Sequence, residues 1–225
     1  AAAALVAAGL AVQDRRTGML LLPVLLLVWA WASPRRWYVK GALAALVVLA
    51  SLAVWTASDT VRARWAEGAS ELSSYTPDDA VDTSWGQRLR MLERTSAMVR
   101  ERPFTGHGLG SWRVLWNERT TRGTLLADNS TPHNEYLLVA VQAGLPAALL
   151  LLAWLSWMAL VSARAGHQGA PALMLWLTVA LSGLAHAVLR DAKFALPLLL
   201  LAGLATALWS DEPAAGARKQ LIRDN

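Results

Sequence analysis

The chain has no cysteine, which removes disulfides and thiol chemistry without fixing a compartment. Charge is scarce: 16% of the 225 residues are Asp, Glu, Lys or Arg, against roughly 25% in an average soluble domain. Strand patterning is absent, as are internal repeats and low-complexity tracts beyond an Ala/Leu bias in the apolar runs. What is present is apolar. With 55% hydrophobic residues and a mean hydropathy of +0.35, the chain is not an intrinsically disordered one. A net charge of +5 and a pI near 10.2 would suit a nucleic-acid binder, but the charges are not gathered into a basic surface. Residues 59–132, the main polar stretch, hold 10 Arg against 10 Asp and Glu. No nucleic-acid partner is expected.

A bilayer-spanning helix needs about 20 mostly apolar residues, within a range of roughly 17–25. Uncharged runs at 17–33, 41–58, 136–163, 165–189 and 194–210 reach or approach that length. A soluble core helix would break such runs with a polar face at helical period. Spans are therefore expected at about 17–33, 41–58, 136–163, 170–189 and 194–210, with Pro23 bending the first without ending it. Residues 1–12 are too short to cross and carry neither a Met nor a basic leader. They read as the end of a cut-short span, and the chain as a C-terminal fragment. The expected fold is all-α: one polytopic transmembrane domain, a large, partly helical loop at 59–135 and a tail at 211–225.

Basic residues in short loops orient such a chain. The turn from Pro34 to Lys40 carries Arg35, Arg36 and Lys40 and no acid, which places it inside. Counting crossings puts Gln13–Arg16, the large loop and Arg190–Lys193 outside, and Ser162–Gly169 and the tail inside. Trp37, Trp55 and Tyr136 stand near span ends, as an interfacial belt would.

Within the large loop, Ser84 to Arg102 reads as an amphipathic helix with Trp85, Leu89, Leu92 and Val99 on one face. Thr83 or Ser84 caps it and Pro103 stops it. Three features here bear on chemistry. Arg is dense, and its rigid charged fork suits phosphate oxygens, although pairing with Glu93 and Glu101 would account for single arginines. Gly106, Gly108 and Gly110 permit turns that cradle anions, or a plain loop. His133 and Asn134 stand where the loop becomes a span; a His titrates in the range useful to a general base, and Asn134 can cap the helix. His107, His167 and His186 compete for that role, with His186 falling late in a span. No carboxylate pair, Ser-His-Asp order or metal-ligand spacing stands out.

The order of these pieces is more specific than any one of them. Asp14-Arg15-Arg16-Thr17-Gly18 precedes a span. The loop carries Ser84-Trp85-Gly86-Gln87-Arg88, then Arg102-Pro103-Phe104-Thr105-Gly106-His107-Gly108-Leu109-Gly110. His133-Asn134-Glu135-Tyr136-Leu137 and Gln142-Ala143-Gly144-Leu145-Pro146 follow. This order resembles the O-antigen ligase family of lipopolysaccharide biosynthesis, together with its O-antigen polymerases and protein O-oligosaccharyltransferases. The resemblance is strongest from Arg88 to Pro146.

It implies a multi-pass enzyme of the bacterial inner membrane, with loop 59–135 and the active site facing the periplasm. The implied reaction moves a glycan from undecaprenyl diphosphate to the lipid A–core oligosaccharide, with no metal or other cofactor. His133 would be the base. Arg88 and Arg16 would contact the diphosphate, with Arg15 a neighbour that contests the place of Arg16. Gly106, Gly108, Gly110 and Asn134 would support the loop. Two departures from the family pattern stand out: Arg15 where Ser is common, and Leu92 where an aromatic residue is common. A membrane transporter is the rival of another class, but it would place paired ionisable groups mid-span, where His186 is the nearest candidate.

Overall fold

The protein is described by a computed structural model that covers residues 16–32, 34–75, 83–120, 126 and 129–210. Arg15, the partial span 1–12 and the tail 211–225 lie outside the described residues. Among the described residues the chain is helical and has no strand. The helices are α1 (Arg16–Ala32), α2 (Trp37–Ala57), α3 (Asp59–Ser73), α4 (Ser84–Glu101), α5 (Ser111–Arg119), α6 (Glu135–Arg164), α7 (Gly166–Ser182) and α8 (Ala192–Ser210). Two of them, α2 and α6, are long and apolar enough to cross a membrane, while Leu21–Ala32 and Ala192–Leu208 are shorter apolar helices.

The chain divides into two compact units. The first takes residues 1–47, 154–181 and 191–225; the second takes 48–153 and 182–190. In the first, α1 runs through Pro23 without a break and buries Leu21, Leu25 and Ala30. The basic turn after α1 serves its end: Lys40 donates from Nζ to the Trp31 carbonyl at 2.8 Å, and Arg35 lies over the Trp29 ring. A cation beside the last carbonyls of a helix is favourable because those oxygens lack intrahelical donors. Trp176 on α7 is buried. It meets Trp154 edge to face at 5.2 Å and donates from Nε1 to Thr206 Oγ1 at 3.1 Å. Elsewhere α8 leaves Leu196, Leu200, Leu204 and Leu208 exposed, one side of a helix at i, i+4 spacing. Apolar surface of this kind suits lipid contact better than water.

The second unit contains the polar loop. Its core is built from Met91, Met98 and Val99 of α4, Trp112 and Trp116 of α5, Leu126, and Leu138, Ala140, Val141 and Ala148 of α6. Thr83 caps α4, its Oγ1 accepting from Gly86 N at 3.2 Å, and α4 ends at Glu101, two residues before Pro103. The buried stripe of α4 is Met91, Thr95, Met98 and Val99, so of the expected face Val99 is inside while Leu92 is exposed. That rotates the apolar face from the one expected, because Thr95 is needed inside to accept from Trp112 Nε1 at 3.0 Å. Trp116 stacks on Trp112 at 5.1 Å and donates to the Leu126 carbonyl at 2.8 Å. The polar segments 59–73 and 111–119 are helices that apolar periodicity did not disclose.

Candidate active site

At the start of α6 the polar groups of Asn134 and Glu135 are engaged by hydrogen bonds. Asn134 is the cap: its Oδ1 accepts from Leu137 N at 2.9 Å, satisfying one of the donors that a helix start leaves orphaned. Its Nδ2 donates to the Leu184 carbonyl at 3.1 Å. Glu135 is 5% exposed. Its N–H donates to the Gly183 carbonyl at 2.8 Å, and its Oε2 accepts from Leu189 N at 2.8 Å. The Arg190 guanidinium donates to the Ser130 carbonyl.

These partners come from a stretch expected to be helical. The apolar run after Gly166 is helical only to Ser182. Residues 183–190 form turns, with Ala185 N and His186 N returning to the Ser182 carbonyl. His186 therefore sits in a turn, outside any helix.

His133 precedes the cap with φ +51°, the one non-glycine left-handed residue among the described residues. Such a conformation is uncommon outside glycine, though His adopts it more readily than most, and it persists only where the surroundings fix it. Its N–H faces Thr131 Oγ1 at 3.4 Å. Its half-buried ring meets that of His186 edge to face, 5.8 Å between centroids and 79° between planes. Along the first turns of α6 opens a cavity of about 270 Å³, whose walls include Leu109, Trp112, Arg113, Glu135, Gln142 and Arg190 but not His133.

The spaced glycines belong to the same helix by another route. In α6 the backbone breaks at Gly144, with φ +86° and ψ 168°, just before Pro146. Proline has no N–H, so the Gln142 carbonyl loses its helical donor. Leu145 N turns away from Val141 to the Pro103 carbonyl at 2.7 Å. The orphaned carbonyls are taken by the glycine loop: His107 N donates to Val141 O at 2.7 Å and Gly108 N to Gln142 O at 2.9 Å. Gly110 N donates to Gln142 Oε1 at 2.9 Å, and Gly106 N to the Arg102 carbonyl at 3.0 Å. A Cβ on Gly106 would stand 2.5 Å from the Gln142 carbonyl carbon, and one on Gly144 would stand 2.3 Å from the Phe104 oxygen. Both glycines are required by a backbone-to-backbone crossing at positive φ. His107, Gly108 and Gly110 aim their amide donors at α6, so this loop supports the helix.

The arginines differ in company. Arg88 of α4 is half-buried and lies over the Trp85 ring at 5.9 Å. Arg90 pairs with Glu93 at 2.9 Å; Glu93 also accepts from Tyr75 at 3.3 Å, and burial, then the Glu93 charge, pushes the Tyr75 hydroxyl up. Arg94 lies over Trp116 and donates to Thr120 Oγ1. Arg119 grips Glu101 with two bonds of 2.6 and 2.8 Å, which holds the Glu101 carboxyl below its usual range. His107 Nε2 lies 2.9 Å from the Met98 carbonyl. Arg16 opens α1 in the first unit; its side chain, like all of Arg15, lies outside the description. The structure thus joins His133, Asn134 and the three glycines through the first turns of α6, and sets Arg88 on a separate helix of the same unit. Among the described residues no group of three or more His, Asp or Glu is placed to hold a metal ion.

Residues 1–152 match the family model described as O-antigen ligase. The chain belongs to the O-antigen ligase family. No curated protein matches it. The family match covers Arg16, Arg88, the glycine loop and His133, and it ends before the turn 183–190 that holds the start of α6. Glu135 and His186 are the site residues that sequence reasoning passed over or set aside. A lone carboxylate beside a cap carries no signal of its own, and His186 gained meaning only when the helix was seen to end at Ser182.

Proposed function

We propose that this O-antigen ligase family member transfers a glycan from undecaprenyl diphosphate to the lipid A–core oligosaccharide at the periplasmic face of the inner membrane. The observation that carries the reading is His133: a half-buried imidazole on a left-handed backbone residue at the mouth of an apolar helix, packed against His186 of the turn 183–190. A general base must be held within hydrogen-bond reach of the proton it takes, and this setting provides that rigidity. In the proposed step the acceptor hydroxyl oxygen bonds to sugar C1 as the C1–O bond to the diphosphate breaks. The hydroxyl proton passes to His133, and undecaprenyl diphosphate leaves with the electron pair.

Charge grows on the diphosphate as that bond breaks, and fixed guanidinium groups stabilise it more in a low-dielectric site than in water. Arg88 and Arg16 are the proposed donors, with Arg15 contesting the place of Arg16. The scheme uses no metal or cofactor. A single displacement inverts the anomeric centre, and retained configuration in the product would rule it out. The multi-pass arrangement, with loop 59–135 outside, belongs to the same proposal and draws support from the apolar α2 and α6.

The acceptor is decided by complementation. The full-length protein should restore lipopolysaccharide laddering in a strain deleted for its ligase. Altered chain length without new attachment would instead identify a polymerase, and glycosylated Ser or Thr a protein O-oligosaccharyltransferase.

A further inference from the structure

The turn 183–190 does more than end a helix. Gly183 and Leu184 accept from Glu135 and Asn134, Leu189 donates to Glu135, and Arg190 reaches Ser130. Residues on both sides of His133 are therefore tied to one short segment. These bonds fix backbone and leave the last torsion of the imidazole, which is intrinsically soft. Against that imidazole lies the His186 ring, presented by the middle of the same turn. Its centroid distance falls inside the 4.5–7 Å range that aromatic pairs prefer, and its near-perpendicular plane matches the edge-to-face arrangement. His186 is itself half-buried.

We propose that His186 is a positioning residue for His133, its ring packed against the imidazole so that the nitrogen stays aimed at the acceptor hydroxyl. The inference rests on the reading of His133 as the base. Misdirected reacting groups lose rate without losing binding, so the effect falls on kcat. Because the contact is one of ring against ring, an aromatic side chain without nitrogen can supply it.

The test measures initial rates of glycan transfer by the full-length protein in detergent, with lipid-diphosphate donor and lipid A–core acceptor. Three variants are compared: His186→Ala, His186→Phe and His133→Ala. His186→Ala should lower kcat about 10-fold, the worth of one aromatic pair, with KM unchanged. His186→Phe should stay within about twofold of the parent, and His133→Ala should lose about 10²-fold or more. Parent-like kcat in His186→Ala overturns the inference, as does a His186→Phe variant as slow as His186→Ala. Thermal unfolding is recorded alongside, and a kcat loss that simply tracks lowered Tm also overturns it. A His133→Ala variant with parent-like kcat would instead remove the base reading, a failure distinct from that of His186.

Discussion

The two helices long enough to cross a membrane teach more together than apart. Both are apolar runs beginning near an aromatic residue, yet none of α2's residues is buried, whereas α6 buries Glu135, Leu138, Ala140, Val141 and Ala148 in or near the site. Hydropathy does not separate them. What separates them is polar chemistry at one end and a break in the middle. The start of α6 carries Asn134 and Glu135, which bond to the turn 183–190. Its Gly144-Leu145-Pro146 break frees carbonyls that the glycine loop must satisfy, since a buried backbone group without a partner costs about as much as a lost hydrogen bond. No such break interrupts α2. One helix is surface for its surroundings and the other is the frame of the candidate site.

Glycine substitutions break this comparison most strongly. Gly106→Ala forces a Cβ into the α6 backbone at positive φ and should destabilise the protein by about 3 kcal/mol, with lowered Tm in detergent. A smaller loss is expected from Arg88→Lys: about 10-fold in transfer rate, because an ammonium cannot reproduce the guanidinium fork, with Tm unchanged. Gly41→Ala in α2 meets nothing within 4 Å and should stabilise by up to about 1 kcal/mol through helix propensity alone. If Gly41→Ala were as damaging as Gly106→Ala, the contrast between the two helices would be lost.

The smallest effect is expected at Glu101, whose carboxyl Arg119 holds low. Its stabilisation is present above the ordinary glutamate range and disappears as pH falls through the lower folded value. The pair is partly exposed, so screening keeps Glu101→Gln under about 1 kcal/mol at neutral pH. The difference from the parent should vanish in strong acid. A Tm difference that grew on acidification would contradict that sign.

Much of this was legible from residue order. The apolar runs, Thr83 as a cap, Pro103 as a stop, Asn134 at the start of a helix and Pro23 inside one all follow from local rules. The pairing of the glycine loop with Gly144-Leu145-Pro146 was not legible, although both motifs were visible. Their bond joins segments about 35 residues apart, and nothing in either motif names the other. The turned face of α4 had a similar cause, since Thr95 is buried to serve an indole N–H on another helix. The end of α7 at Ser182 was hidden because 183–190 is almost as apolar as the helix before it, and turn chemistry there consists of a single glycine at Gly183.

The measurement closest to the central claim is glycan transfer by full-length His133→Ala against the parent protein, at equal membrane abundance and equal Tm. A loss of about 10²-fold or more, the usual weight of a general base, is the expected result. Transfer at the parental rate by a folded, inserted His133→Ala protein would contradict it.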